Sequence, residues 1–568
     1  MAFLQKKVKN GHDYWYVMEA ARVNGQPRIV RQRYLGTVEA IEAAFDAAFE
    51  PESIDDVEFG ATATMWSLAQ RIGFGLSVDA RLGRTTSGLS VGTYLQAAAV
   101  NRAVSPRSKR GFFSWYDQSV LSRIVPAAPQ AWISPRFWDA MNVIGLDDLE
   151  AIEESYVSQA VAEFAIAAEA LVFDGTNFHT FIASTNTRAA IAQRGRAKNK
   201  RFDLRLVGLA LACSTDHRIP LASATVAGNA PDVKVFEAAL PRLISRLEAL
   251  GVEPASITVV FDKGNNSGAN LALVADSEIG FIGSLVPTQH ADLLAVPDER
   301  FQQVEGLDGV VAYRCEKQIA GTLRTIVVTR SQTFLTKQLV GLAQTRGRVE
   351  VQLAELVRLL SGHRHKMDAA KLAARVDEAL SPRWMARLYR TQITGATRED
   401  LTLAWSFDDE AFAELKDREL GKRVIFTDRA DWSTAQIVVA YRSQWEAEAA
   451  FRQIKNPEHA SFRPIHHWTD HKIQVHGLYS VAALMLVNLA WREADRAGLG
   501  LSPNEVMETL AAIREVTLIY PPAKGKGGTP RVLKKLTRTD QTQQQLFELF
   551  GLDAFAPREG TTAKWRGF

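Results

Sequence analysis

The stretch ALVFDGTNFHTFIAS, residues 170–184, is an apolar, β-branched run that delivers an acid, Asp174, into a Gly-Thr turn. A second stretch, ITVVFDKGNNSG at residues 257–268, delivers Asp262 in the same way. An apolar run before an acid predicts a buried strand with a carboxylate at its rigid end. Each Asp alone is explained by a turn-capping role. Because two acids occur in the same sequence setting, turn capping and a shared site are equal alternatives.

A shared site would need a cation. Two carboxylates on neighbouring strands repel each other unless positive charge neutralises them. Mg²⁺ prefers oxygen ligands and keeps water and phosphate in its other coordination positions. If their strands are neighbours, Asp174 and Asp262 therefore predict a Mg²⁺ site.

The segments around the two acids alternate between strand and helix patterns. Their order is strand, strand, strand, helix, strand, helix, strand, at residues 170–184, 204–214, 219–228, 232–250, 257–262, 269–278 and 280–287. This order predicts a mixed α/β sheet.

The rest of the chain has other patterns, and 568 residues exceed one ordinary core. We expect an α/β multidomain protein in which a β-plus-α insertion interrupts the mixed-sheet core. The predicted parts are an N-terminal β-hairpin module (1–55), a helical and candidate DNA-binding region (56–165), the first part of the core (166–287), the insertion (288–421), the second part of the core (422–495) and a basic C-terminal region (496–568).

Composition excludes several classes of protein. Apolar residues make up 46% and charged residues 23% of the chain, as in soluble globular proteins. Two cysteines cannot build a disulfide framework or a cysteine-based zinc site, which favours a cytoplasmic protein. No signal peptide is evident, and the apolar run 478–491 is short enough to be a buried helix, so no membrane partner is expected. Two basic segments, 194–205 and 524–538, are either solvated loops or phosphate contacts.

A third acid lies in the segment YRSQWEAEAAFRQIK, residues 441–455, which has a helical pattern. At about 100° per residue, one face carries an acid, Glu448, among two aromatic and two basic side chains, Tyr441, Trp445, Arg452 and Lys455. A structural helix keeps its charges on the solvent side. An acid among cations and aromatics suits a metal beside a phosphate backbone, although a salt-bridged surface stripe remains open. Glu446 points the other way and is expected to pair with Arg442 at the surface.

Together these residues resemble the DDE transposases of bacterial insertion sequences, in the insertion-sequence-4-like superfamily. The family signature is Tyr, two residues, Arg, three residues, Glu, six residues, Lys. It falls on Tyr441, Gln444, Glu448 and Lys455, and Gln444 stands where the family has Arg. Arg442 and Arg452 are candidates to replace that contact.

Other motifs extend the resemblance. Asp174-Gly175-Thr176 and Asp262-Lys263-Gly264 resemble the family's strand-end motifs, and Gly228-Asn229 with Asp232 resembles its intervening turn. The hairpin start and the segment VNRAVSPRSK, residues 100–109, resemble the branch typified by insertion sequence 1634.

The resemblance implies an RNase H-like core in which Asp174, Asp262 and Glu448 hold two Mg²⁺ ions, with Mn²⁺ as a substitute. It implies hydrolysis at the ends of the element, followed by attack of the new 3′-OH groups on target DNA. DNA contacts are expected from Tyr441, Gln444, Arg452, Lys455 and Lys263.

The implied partners are double-stranded DNA, as terminal inverted repeats and as target, and a second copy of the chain. The implied location is the bacterial cytoplasm, in association with the nucleoid.

Three other functions are alternatives. A haloacid-dehalogenase-type phosphohydrolase needs a nucleophilic Asp two residues before Asp174, where the chain has Val172. Another RNase H-like DNA nuclease would share the core motifs but not the signature helix. A non-catalytic DNA-binding protein derived from a transposase would not need the three acids.

Overall fold

In a computed structural model, the chain divides into two compact units: Met1–Phe164 with Gln453–Phe568 (unit 1), and Ala165–Arg452 (unit 2). The residues that the structure describes are 2–23, 26–42, 50–83, 88–167, 170–195, 203–249, 251–261, 266–362, 367–395, 397–521 and 530–558.

The strands have these bounds: β1 Ala2–Lys9, β2 His12–Val23, β3 Gln26–Gly36, β4 Ser53–Glu58, β5 Ala170–His179, β6 Leu206–Ser214, β7 Pro220–Ala227, β8 Thr258–Val260, β9 Gly280–Ser284, β10 Gln302–Gln303, β11 Val310–Ile319, β12 Thr322–Ser331, β13 Tyr389–Thr394, β14 Thr402–Phe407, β15 Lys422–Thr427, β16 Arg514–Tyr520 and β17 Arg531–Leu536.

The α-helices have these bounds: α1 Gly60–Arg71, α2 Phe74–Leu82, α3 Val91–Val104, α4 Phe112–Asp117, α5 Leu121–Ile124, α6 Ser134–Asn142, α7 Leu146–Phe164, α8 Asp232–Ala249, α9 Gly268–Asp276, α10 Ala291–Leu294, α11 Gln332–Ser361, α12 Ala369–Ala379, α13 Met385–Leu388, α14 Asp409–Arg418, α15 Thr434–Arg442, α16 Gln444–Lys455, α17 Asp470–Arg496, α18 Pro503–Ala511 and α19 Gln541–Leu549.

Unit 2 is built on a nine-stranded mixed sheet in the order β10-β11-β12-β15-β9-β8-β5-β6-β7. Strands β5, β8 and β9 are parallel to one another, whereas β6 and β7 pair antiparallel beyond β5. The predicted α/β fold with a mixed sheet is confirmed, and the predicted succession of strands and helices is present from β5 to β9. All nine residues of β6 are buried, which explains its continuous apolar sequence.

One face of this sheet is held together by phenylalanines. Ring centroids lie 5.1 Å apart for Phe173–Phe236, 5.2 Å for Phe236–Phe261, 5.6 Å for Phe261–Phe281 and 5.0 Å for Phe281–Phe426. Phe236 comes from α8, and the other four come from β5, the end of β8, β9 and β15. This phenylalanine row therefore ties four neighbouring strands and one helix into a single core.

Strands from the segment predicted as an insertion extend the same sheet. Strand β12 pairs antiparallel with β15, and β15 pairs antiparallel with β9. The remainder of that segment forms a second hydrophobic cluster around α11 to α14 and the β13–β14 hairpin, with Leu353, Leu372, Leu388 and Leu415 fully buried. The segment 288–421 thus contributes both to the sheet and to a core of its own.

The basic segment 194–205 has a structural role at its described end. The Arg205 guanidinium donates to the Asn186 carbonyl at 2.7 Å and to the Ala183 carbonyl at 3.2 Å, and also bonds the carbonyls of Ala189 and Ala192. It therefore holds loop 183–192 beside β6. Four hydrogen bonds from this guanidinium therefore go to backbone carbonyls. Residues 196–202 lie outside the described part of the chain.

Unit 1 combines two small sheets with a helical core. Strands β1, β2 and β3 form one antiparallel sheet, and β4, β16 and β17 form the other. Lys534, in the described part of the basic C-terminal segment, pairs with the fully buried Glu515 at 2.8 Å. Helix α17 is long and apolar enough to cross a membrane by length and composition alone, but 94% of its most apolar window is buried inside the protein. The predicted buried helix at 478–491 is confirmed.

We expect Phe261→Ala to lower the free energy of unfolding by about 3–5 kcal/mol, because it removes the central ring of the phenylalanine row. Urea unfolding followed by circular dichroism measures the change. Phe181→Ala is the control, since Phe181 is 55% exposed. Equal midpoints for the two variants would contradict the assignment of the row as the core of the sheet.

Candidate functional site

Asp174 lies in the middle of β5 and is half-buried. Its side chain accepts a hydrogen bond from the Gly175 backbone N–H at 2.8 Å. Strand residues alternate between faces, so Asp174 shares a face with Val172, opposite the phenylalanine row. Val172 is in register with Val260 of β8, and Val260 with Ile282 of β9. We call this side of the sheet the acid face.

The second predicted acid, Asp262, and the predicted DNA contact Lys263 lie outside the described residues. The strand that leads to them is described as far as Phe261, which is fully buried. The structure resumes at Asn266, where Ser267 caps α9 by accepting a hydrogen bond from the Asn270 backbone N–H. Strand β8 is parallel to β5, as the proposed pairing of the two acids requires.

The helix predicted over 441–455 is interrupted at Ser443. Helix α15 ends at Arg442 and α16 begins at Gln444. The expectation of one continuous helix is wrong here. The Ser443 hydroxyl donates to the Ala440 carbonyl at 2.6 Å, and such a side-chain bond competes with the helical backbone ladder.

Helix α15 covers the acid face. Ile437, Val438 and Tyr441 belong to one buried cluster with Val260 and Ile282 of the sheet. Tyr441 is only 5% exposed, so this predicted DNA contact is mostly enclosed by protein.

Helix α16 has the two-sided pattern that the sequence predicts. Glu448 and Arg452 are exposed, whereas Phe451 and Ile454 are buried. Lys455 is half-buried, and its backbone carbonyl accepts a hydrogen bond from the Arg463 guanidinium at 2.8 Å. Glu448 and Arg452 therefore present their charges on the accessible side of one helix.

Glu446 pairs with Arg218 in the β6–β7 turn. The expected surface pair with Arg442 is wrong, because the Glu446 and Arg218 side chains are only 13% and 12% exposed. The Arg218 guanidinium also lies 5.1 Å from the centroid of the Trp445 ring. Arg218 was missed because it lies far from α16 in sequence. The available signal was an acid on the less accessible side of a helix, which requires a cation nearby.

The pKa of the Cys213 thiol, on β6, depends on burial and on the charges on this face. Burial raises the pKa of its thiol to about 12. The Arg218 guanidinium lowers that pKa, and the carboxylates of Asp174 and Glu446 raise it further. The thiol is therefore protonated at neutral pH, and it lies within electrostatic range of both acids.

A cavity of about 700 Å³ lies where the two helices meet β12, β15 and α11. Glu448, Gln444 and Tyr441 line it, so the structure brings three of the four signature positions together. Its charged lining residues are Asp308, Lys337, Arg423, Arg442 and Glu448. Arg452 and Lys455 are not among its lining residues.

Carboxylates are the donors available for a metal ion. Asp174 and Glu448 are described, and Asp262 is not. Among the described residues, no group of three His, Cys, Asp or Glu side chains is close enough to hold a metal. Carboxylate oxygens are hard donors, which suit Mg²⁺ or Mn²⁺.

We expect Glu446→Gln to lower the free energy of unfolding by about 3 kcal/mol, because it removes the charged acceptor from an enclosed ion pair with Arg218. Glu448→Gln, two residues further along the same helix, should change it by less than about 0.5 kcal/mol because Glu448 is exposed. Urea unfolding of both variants tests this. The reverse order of the two effects would contradict the division between a structural and an accessible carboxylate.

Comparisons with known proteins identify the family. A search of curated proteins found no match. Among solved structures, the chain is similar to piggyBac transposase in a cryo-EM structure of its synaptic complex with hairpin DNA, at 9% identity and a TM-score of 0.36, over 79% of this chain and 78% of that one. The family model for the transposase DDE domain matches residues 167–463, which is 297 of the 568 residues. The chain therefore belongs to the transposase DDE domain family.

Proposed function

We propose that this transposase cleaves DNA at the ends of an insertion sequence and joins the freed 3′ ends to target DNA. Asp174, Asp262 and Glu448 are the proposed catalytic acids. We further propose that the core is RNase H-like and that the chain belongs to the insertion-sequence-4-like superfamily, in the branch typified by insertion sequence 1634, and acts in the bacterial cytoplasm at the nucleoid.

One observation carries the proposal. Helix α15 packs on the acid face, and α16 follows it directly with Glu448 on its accessible side. Asp174 points to that same face from β5, and the strand before Asp262 runs parallel beside it. The strand order β7-β6-β5-β8-β9, in which β6 runs antiparallel to the other four strands, supports an RNase H-like core.

The donor set fits a hard divalent cation. Asp174 and Glu448 offer carboxylate oxygens, and Asp262 is the proposed third ligand. Enzymes of this family are generally dependent on divalent metals. Two Mg²⁺ ions held by these acids would supply Lewis-acid stabilisation of the reacting phosphodiester and lower the pKa of the attacking hydroxyl group.

The protein's own residues orient the acids and the DNA. The Gly175 N–H fixes one oxygen of Asp174, and the Arg218–Glu446 pair fixes the start of α16. We propose that Gln444, Tyr441, Arg452, Lys455 and Lys263 contact the DNA strand near the scissile phosphate. Cutting both ends of one element requires two active sites in concert, so a homodimer on DNA is also proposed.

The test is cleavage of a labelled duplex that carries the inverted repeats flanking the gene, with Mg²⁺ present. We expect wild type to nick at the repeat boundary, and Glu448→Gln to bind the duplex but cut at least about 10³-fold more slowly, because a ligand for the catalytic ions is lost. Glu355→Gln is the matched control, since Glu355 is an exposed acid on another helix, α11.

Other outcomes point to other functions. Equal cutting by wild type and Glu448→Gln would show that Glu448 is not a catalytic acid. Binding without cutting by wild type would favour a DNA-binding protein derived from a transposase. Cutting without any preference for the repeats would favour a different RNase H-like nuclease.

A further inference from the structure

We propose that the cavity beside Glu448 is a binding site for a DNA backbone phosphate, and that Arg423 supplies the cation that Gln444 lacks. The inference rests on the proposed function, because it assumes that DNA reaches Glu448. It assigns DNA contacts to residues outside the signature helix: Arg423 of β15 and Lys337 of α11.

The charges of the cavity favour an anion. Lys337, Arg423 and Arg442 all line it, and all three are exposed. No carboxylate lies within ion-pair distance of these three side chains among the described residues, which leaves the cations available. The carboxylates of the lining are Asp308 and Glu448, and Glu448 is proposed to hold metal. A phosphodiester is negatively charged, so three available cations beside Glu448, the proposed metal ligand, favour its binding.

The register of the sheet puts Arg423 on the acid face. Ile425 pairs with Ser284 at the carboxyl end of β9, and Arg423 lies two residues before Ile425 on the same side of β15. Because β15 runs antiparallel to β9, its first residues meet the carboxyl edge of the parallel strands. The acid of β5 lies on this face, and β8 ends at this edge.

The Arg423 side chain is held by aromatic rings. Its guanidinium lies 4.2 Å from the centroid of the Phe334 ring and 5.9 Å from that of the Tyr441 ring. Cation–π contacts of this kind orient a guanidinium without consuming its N–H donors. The planar group therefore keeps its donors for a bidentate phosphate contact.

The backbone before Arg423 is also fixed. The Gly421 N–H donates to the Gln338 side chain at 2.7 Å, and the Gly421 carbonyl accepts from the Ser331 N–H at 3.0 Å. Both partners line the same cavity. Arg423 is thus presented from a rigid strand end, which lowers the entropy lost when it binds an anion.

Gln444 makes this assignment specific to the chain. The signature places an arginine at that position, and a glutamine offers no positive charge. Arg423, Gln444 and Glu448 line one cavity, so a cation on β15 can act on the phosphate that an arginine at 444 would contact. This predicts that an arginine at position 444 can replace Arg423 as the cation that contacts the phosphate.

The test measures binding of the repeat duplex and its salt dependence, together with cleavage, for Arg423→Gln and the double variant Arg423→Gln/Gln444→Arg. We expect Arg423→Gln to weaken binding about tenfold and to reduce the slope of log affinity against log salt by about one. The double variant should return both quantities to near the wild-type values. Arg423→Lys should keep the slope, because it keeps the charge.

Arg358→Gln is the control: it removes the same charge from α11, and its side chain is 82% exposed. It should leave affinity and slope unchanged. Unchanged binding by Arg423→Gln, with cleavage still abolished by Glu448→Gln, would overturn the phosphate site while leaving the proposed function intact. If Arg423→Gln weakens binding and the double variant Arg423→Gln/Gln444→Arg does not restore it, an arginine at position 444 cannot replace Arg423, and that part of the proposal is overturned. If wild type does not bind the duplex, both the proposed function and this assignment fail.

Discussion

A carboxylate on a sheet face has to be neutralised or left open to solvent, and this constraint organises unit 2. One face of the sheet is closed by the phenylalanine row and α8. The opposite face carries Asp174, and helices α15 and α16 cover it only in part. The apolar residues of α15 seal the strands around Val260, and Glu448 follows on the accessible side of α16. The two faces of the sheet thus differ: one is packed with aromatic rings, and the other carries Asp174 and is followed by the helix of Glu448.

The Arg218–Glu446 pair fixes the start of α16 against the β6–β7 turn. An enclosed ion pair adds little net stability, since desolvation of both charges offsets their attraction. The pair instead determines the position of α16. Any placement of this helix that separated the enclosed Glu446 from Arg218 would cost free energy, so such placements are disfavoured. The two partners act in opposite directions on the Cys213 thiol, since Arg218 lowers its pKa and Glu446 raises it, and burial is the main reason that this pKa is raised to about 12.

The cavity beside Glu448 joins distant parts of the chain. Helix α11, which also supports the second hydrophobic cluster, brings Lys337 and Phe334 to it, and β15 brings Arg423. The segment predicted as an insertion is therefore connected to the candidate site through the sheet itself, by way of β12 and β15.

Several strands and helices of this protein, and their buried sides, can be predicted from local sequence patterns. The apolar runs ending at Asp174 and Phe261 specify buried strands, the spacing of Phe451 and Ile454 specifies the buried side of α16, and the apolar run of α17 specifies a core helix. These features depend on contacts with period two or 3.6 along the chain, so they can be deduced from the sequence. The partner of Glu446, the break at Ser443 and the place of Arg423 beside Gln444 were decided only by the tertiary structure. Each depends on residues brought together by strand pairing or on competition between hydrogen bonds, and neither leaves a periodic pattern in the sequence.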